Sequence, residues 1–175
     1  NQNRPAEKFK NNTLATNIEE NLPFSLTPDQ KKSYQEIAED MASGSPMLRL
    51  LQGDVGSGKT IVAALIAAHV VEDQKQVVIL APTTILANQH YESFCEWYGN
   101  NENIVLLTSK LPVREKREIY QKISDGIVKI IIGTHAVFQD ELIYQNLSLV
   151  IYDEQHRFGV NPVSYTHLRA HETAY

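Results

Sequence analysis

Gly53-Asp54-Val55-Gly56-Ser57-Gly58-Lys59-Thr60 sets three glycines ahead of a lysine and a hydroxyl, in the spacing Gly-x4-Gly-Lys-[Ser/Thr]. Glycines at this spacing let successive backbone N–H groups turn inward around an anion, and the N-terminus of a following helix adds partial positive charge. Lys59 has the reach to meet the β- and γ-phosphates, and the Thr60 hydroxyl is a hard oxygen ligand for Mg²⁺. The context also fits this P-loop reading: the apolar run Met47–Leu51 precedes the segment, and a stretch rich in Ala, Ile and Leu follows it. The residues therefore predict binding of ATP or a close relative with Mg²⁺, through Gly53, Asp54, Val55, Gly56, Ser57, Gly58, Lys59 and Thr60.

A second acidic group lies about ninety residues downstream, where Asp153-Glu154-Gln155-His156 follows the apolar run Leu147–Tyr152. Carboxylates at the C-terminal end of a buried parallel strand lie where doubly wound sheets bind their ligands. Asp153 suits the role of holding Mg²⁺, directly or through water. Glu154 is placed to orient or deprotonate an attacking water. His156, taken alone, reads as an ordinary loop histidine.

Three further sites each carry two readings. Thr27-Pro28-Asp29-Gln30 is a complete capping box, yet the Gln30 amide can also donate and accept at once, as recognition of adenine requires. Ala81-Pro82-Thr83-Thr84 and Gly133-Thr134-His135-Ala136 each follow a strand-like run and open a helix. Their threonines serve as plain helix caps, or their hydroxyls and N–H groups contact a phosphate backbone. Tyr91, Phe94, Trp97 and Tyr98 fall on one stretch of helix, where core packing or a domain contact is favoured over base stacking.

The elements that must hold these residues follow from apolar patterning. Met47–Leu51, Val77–Ala81, Ile104–Leu107, Ile127–Ile132 and Leu147–Tyr152 are continuous apolar runs, as in strands buried on both faces. Between them lie helical stretches from Lys59 to about Asp73, from Thr84 to about Tyr98 and from Val113 to about Ser124, with a shorter one starting near Thr134. Another helix follows the Thr27 cap to about Met41. Strand–helix alternation predicts an α/β domain with a mostly parallel sheet and helices on both faces.

The bulk numbers agree with one such domain. The chain has 175 residues, is 42% hydrophobic and 21% charged, and carries a net charge of −5. That charge shows no overall footprint for nucleic acid and no polybasic membrane patch, although a local basic groove on an acidic body is compatible with it. The single cysteine, Cys95, excludes an internal disulfide and a multi-cysteine zinc site. No run approaches the length of a membrane span, so a cytoplasmic protein is expected. Residues 1–21 are polar and weakly periodic and read as a linker or the frayed end of something longer, such as a wedge domain. Residues 161–175 have neither period nor place in the sheet and look like translated sequencing-adaptor DNA rather than native protein; His167 and His171 therefore carry no metal-site reading.

In order along the chain, these pieces resemble the first motor domain of superfamily 2 helicases, with a RecA-like fold over residues 22–160. Thr27–Gln30 is similar to the Q-motif element, Gly53–Thr60 to motif I, Ala81–Thr83 to motif Ia, Gly133–His135 to motif Ib and Asp153–His156 to motif II. Within that superfamily the chain most resembles the RecG type of bacterial DNA helicase. Leu22–Thr27, Arg49–Thr60, Gly133–Ala136 and Asp153–Val160 carry this resemblance. A related family of transcription-repair coupling translocases usually has Glu-Gln where this chain has Gln155-His156, and a non-motor P-loop switch is a further alternative.

The resemblance implies Glu154 as the catalytic carboxylate, Lys59 in phosphate handling, and His156 in coupling the ATP site to a partner motor domain and DNA. It implies Gln30 at adenine, and Thr83, Thr134 and His135 at DNA. The expected activity is ATP-driven remodelling of branched or forked DNA in recombination and repair, by a monomer. It also implies that a wedge domain and a second motor domain, both missing from these 175 residues, complete the enzyme.

Overall fold

The computed structural model describes residues 13–42, 47–52, 58–99 and 102–154. Gly53, Asp54, Val55, Gly56, Ser57, Gln155, His156 and the tail 161–175 lie outside the described residues.

Five strands and five α-helices alternate through these segments. In chain order they are α1 (Thr13–Glu20), α2 (Pro28–Met41), β1 (Met47–Gln52), α3 (Lys59–Glu72), β2 (Gln76–Leu80), α4 (Thr84–Tyr98), β3 (Ile104–Leu107), α5 (Val113–Ser124), β4 (Ile130–Gly133) and β5 (Leu147–Glu154). A 3-10 turn, His135–Phe138, sits between β4 and β5. All strand pairs are parallel, in the order β1-β5-β2-β4-β3. The predicted α/β architecture is therefore the observed one.

The strands β2 to β5 are mainly apolar because both sheet faces are covered there. Val77, Ile79, Ile104, Ile130, Ile132, Leu149 and Ile151 face one core, shared with α1, α2, α3 and Phe94 of α4. Val78, Leu80, Leu107, Ile131, Val150 and Tyr152 face a second core, closed by Ile123 of α5, the 3-10 turn and Leu142 and Tyr144. Leu147 and Leu149 belong to opposite cores although two residues apart, because a register shift opposite Gln76/Val77 inserts an extra residue there. The helices divide by direction of travel. With right-handed crossovers, β1-α3-β2-α4-β3 moves one way across the sheet and β3-α5-β4 returns, which puts α5 on the opposite face.

α3 is the centre of the first core. Ten consecutive residues, Ile61 to Val70, are buried, so this helix is apolar all round rather than amphipathic. The sheet lies on one side of it, with α1 and α2 on the other. The one polar residue in that run, His69, is hydrogen-bonded through Nε2 to the Tyr34 hydroxyl at 2.5 Å. Burial, with a smaller contribution from Glu19, pushes the Tyr34 pKa up to about 12. The aromatic residues of α4 are core residues, as favoured: Phe94 is fully buried and stacks on Tyr98, whose hydroxyl donates to the Ala64 carbonyl at 2.7 Å.

Two expectations need correction. The segment read as a linker or frayed end, 1–21, contains α1, whose Ala15 and Ile18 are buried against the core and whose Leu14 N–H donates to Glu72 Oε1 at 3.1 Å. Its apolar pattern spans only two turns, too short to stand out from a polar flank. The strand expected from Ile127 begins three residues later. The N–H groups of Ile127 and Val128 are taken by the Lys122 carbonyl, with Gly126 at φ 79°, so the end of α5 consumes them before the ladder starts.

At the edge of the sheet away from the strand C-termini, one buried side chain ties three segments together. Gln76, fully buried, donates from Nε2 to the carbonyls of Ile123 and Val128 at 2.8 and 2.9 Å and accepts from the Asn146 N–H at 2.8 Å. Replacing it with leucine removes three hydrogen bonds to backbone groups in an apolar site, of which the Ile123 carbonyl keeps a second donor, the Gly126 N–H at 3.1 Å. Gln76→Leu is expected to lower unfolding free energy by about 3 kcal/mol, read as a reduced urea midpoint at constant m-value. Tyr34 yields a pH prediction. Its folded pKa lies above the unfolded value of 10.0, so its contribution is fully present below pH 10 and is lost as pH rises towards 12. Tyr34→Phe should make the fall of the urea midpoint across that window shallower.

Candidate functional site

Because every strand runs the same way, their C-terminal ends share one edge of the sheet, and the candidate residues collect there. β5, although last in sequence, is inserted between β1 and β2. Leu51 pairs with Asp153 and Gln52 with Glu154, so the two acidic positions lie beside the end of β1, where the glycine-rich segment departs. α3 begins immediately after that segment. Its cap residue, Gly58, is left-handed at φ 81° and brings no side-chain acceptor to the first-turn N–H groups. A helix N-terminus of this kind is suited to an anion.

Gln30 of α2 fulfils the capping role and also reaches the start of α3. The capping box is complete: Gln30 N–H donates to Thr27 Oγ1 at 3.1 Å, and Gln30 Oε1 accepts from the Thr27 N–H at 2.8 Å. The same amide donates from Nε2 to the Gly58 carbonyl at 3.1 Å, tying α2 to the start of α3. The next turn of α2 supplies Ser33, whose Oγ accepts from Lys59 Nζ at 3.2 Å. Lys59 is therefore held beside α2 in the first turn of α3.

Thr60 and Asp153 are joined by a residue that sequence patterning did not single out. His90 of α4 is buried; its Nδ1 lies 3.4 Å from Thr60 Oγ1, and its Nε2 lies 2.5 Å from Asp153 Oδ2. The second contact is close, but its alignment falls short of a hydrogen bond, and Nε2 has no hydrogen-bond partner. Asp153 is itself only 5% exposed. A signal for His90 was present in the chain: it occupies the buried stripe of α4 with Ala87 and Phe94, where an apolar residue would otherwise stand.

The threonine turns lie along the same edge. Thr83 is exposed and caps α4, accepting from the Leu86 N–H at 3.2 Å. Thr134 ends β4 and makes no side-chain cap, while His135 is exposed at the start of the 3-10 turn. β2 and β4 are neighbours, so these two turns are roughly 5 Å apart in strand spacing and continue outward from Asp153. Gly133 allows this packing: a Cβ there would collide with the Leu107 backbone of β3 and with Val137. Among the described residues no helix is long and apolar enough to cross a membrane, and no cluster of three or more His, Cys, Asp or Glu could hold a metal by itself.

Gly58→Ala tests the join between α2 and α3. The left-handed backbone disfavours any side chain, and the new methyl would collide with the Gln30 amide. The variant should lose about 1–2 kcal/mol in urea unfolding.

Comparison with known proteins agrees with this arrangement. The DEAD/DEAH box helicase family profile matches residues 27–172. The chain is 49% identical over 144 residues to the ATP-dependent DNA helicase RecG of Aquifex aeolicus, covering 81% of this chain and 18% of that protein. It is 50% identical over 145 residues to the RecG of Streptococcus pneumoniae serotype 4, covering 83% and 22%. A structure of RecG bound to a three-way DNA junction superposes with a TM-score of 0.73 at 45% identity, over 85% of this chain and 20% of that one. The chain thus spans about a fifth of the length of the relatives it matches.

Proposed function

Since the chain belongs to the DEAD/DEAH box helicase family, we propose that it is the first motor domain of a RecG-type helicase, which uses ATP to remodel branched or forked DNA. The observation that carries this reading is the convergence of the Thr60 hydroxyl and the Asp153 carboxylate, through His90, at the N-terminus of α3. Residues 22–160, with α1 packed onto them, form that motor domain.

The donor chemistry fits ATP with Mg²⁺. Thr60 and Asp153 offer one hydroxyl and one carboxylate, both hard oxygen donors. Mg²⁺ typically takes one or two such ligands together with substrate phosphates and water, so an all-protein cage is not required. When bound, the ion neutralises charge on the phosphate oxygens. Gly53–Thr60 cradles the phosphates, and Lys59 leaves Ser33 to meet the β- and γ-oxygens. Gln30, already fixed at Gly58, faces the adenine. Glu154 takes the proton of the attacking water and His156 relays the state of the site to the partner motor.

DNA lies across the turns after β2 and β4. Thr83, Thr134 and His135 meet its phosphate backbone, which positions the strand without reading sequence. Their place on the edge that carries Asp153 supports coupling between hydrolysis and DNA contact. An arginine finger from a second motor domain is expected to complete the ATP site; such a finger is worth about 10³–10⁵ in rate in related nucleotide hydrolases.

The deciding experiment is ATP turnover with and without forked DNA, by this chain joined to a second motor domain. A helicase motor responds to the fork, and a P-loop switch that gates a protein partner does not. Glu154→Gln should keep nucleotide binding within a few-fold while turnover falls by about 10²–10⁴. Lys59→Ala should lose binding itself. The 175 residues alone should bind nucleotide weakly and unwind nothing; measurable fork unwinding by them would overturn the requirement for a second motor domain.

A further inference from the structure

Thr60 is at the start of α3, Asp153 at the end of β5 and His90 in the middle of α4, so the three side chains come from three elements and meet only through the fold. His90 is 5% exposed, and its two ring nitrogens lie 3.4 and 2.5 Å from the two side chains that chemistry assigns to the cation. A buried polar atom without an aligned hydrogen bond calls for a reason, and Nε2 is such an atom. Packing alone does not supply one. An apolar residue would fill the stripe of α4 at lower desolvation cost, and α4 is already anchored to the first core by Ala87 and Phe94.

We propose that His90 is a positioning residue for the divalent-cation site, holding the Thr60 hydroxyl and the Asp153 carboxylate in fixed relation to one another. It reaches the reaction only through those two groups. Nδ1 faces the hydroxyl and Nε2 the carboxylate, so the ring spans the gap between α3 and β5. α4 also begins at Thr83, in the turn beside Asp153, which makes its placement and the geometry of the cation ligands one mechanical unit. This inference rests on the nucleotide reading given above.

The two ring nitrogens can be tested separately. A glutamine amide places its nitrogen near the position of Nε2, and an asparagine amide places a polar atom near Nδ1. The measurement is equilibrium binding of fluorescently labelled ADP to the 175-residue chain, titrated with MgCl₂ and repeated in EDTA, with thermal unfolding followed alongside. For His90→Ala, the Mg²⁺ concentration giving half-maximal enhancement of binding should rise about 10- to 100-fold, as when a partner of a metal ligand is removed. Binding in EDTA should be unchanged. His90→Gln should recover most of the loss and His90→Asn less, because the carboxylate contact is the closer of the two.

Equal losses with and without Mg²⁺ would assign His90 to packing alone and overturn the proposal. An unchanged or lowered Mg²⁺ requirement in His90→Ala would overturn it as well, the latter by showing that the ring competes with the cation. Absence of any Mg²⁺-dependent binding by the unsubstituted chain would remove the nucleotide reading, and this proposal with it.

Discussion

A helix that is apolar on every side has to be enclosed on every side, and α3 imposes that condition on the rest of the molecule. From Ile61 to Val70 it exposes almost nothing. The sheet covers one flank, α1 and α2 the other, and Phe94 and Tyr98 of α4 close part of the remainder. Sliding α3 by one residue would drag apolar groups towards solvent and set His69 against the wrong partner, so its axial position is strongly determined. Its first turn is the glycine–lysine–threonine end of the P-loop. The core thereby fixes where an anion-binding N-terminus stands relative to the ends of the strands.

Polar contacts at the site refine what the apolar core sets up. Gln30 spans α2 and the Gly58 carbonyl, Lys59 rests on Ser33, and His90 spans Thr60 and Asp153. These contacts join four elements around one end of β5. Each links residues far apart in sequence, and the contact of His90 with Asp153 forms only once the sheet order is established. The insertion of β5 between β1 and β2 is the decisive topological step, because it brings the acidic positions beside the glycine-rich turn.

A division of labour follows within the sheet. The end of β1 and β5 presents the groups suited to phosphate and cation. The neighbouring ends of β2 and β4 present short turns with threonine and histidine at the surface. With all strands parallel, these two regions share an edge and move with the same rigid sheet. Such an arrangement suits the proposed motor, in which the nucleotide state would be felt at a polymer track.

Much of this was legible in the residues themselves. Local chemistry determined the Thr27–Gln30 capping box, the helix that starts at Lys59 and the apolar runs of the strands. In each case the interactions involved lie within a few positions of one another, or depend on one period. The two-turn helix α1 escaped because its burial comes from α3, fifty residues away, rather than from its own pattern. The start of β4 shifted because the end of α5 claims the N–H groups that strand propensity would have paired. For Gly53–Thr60, the residues alone carried the expectation of a phosphate-binding turn and pointed to the buried helix that follows it. Only the tertiary structure decided that Thr60 at its end faces Asp153 across His90, because that contact depends on strand order, and strand order is set by which apolar faces must be covered.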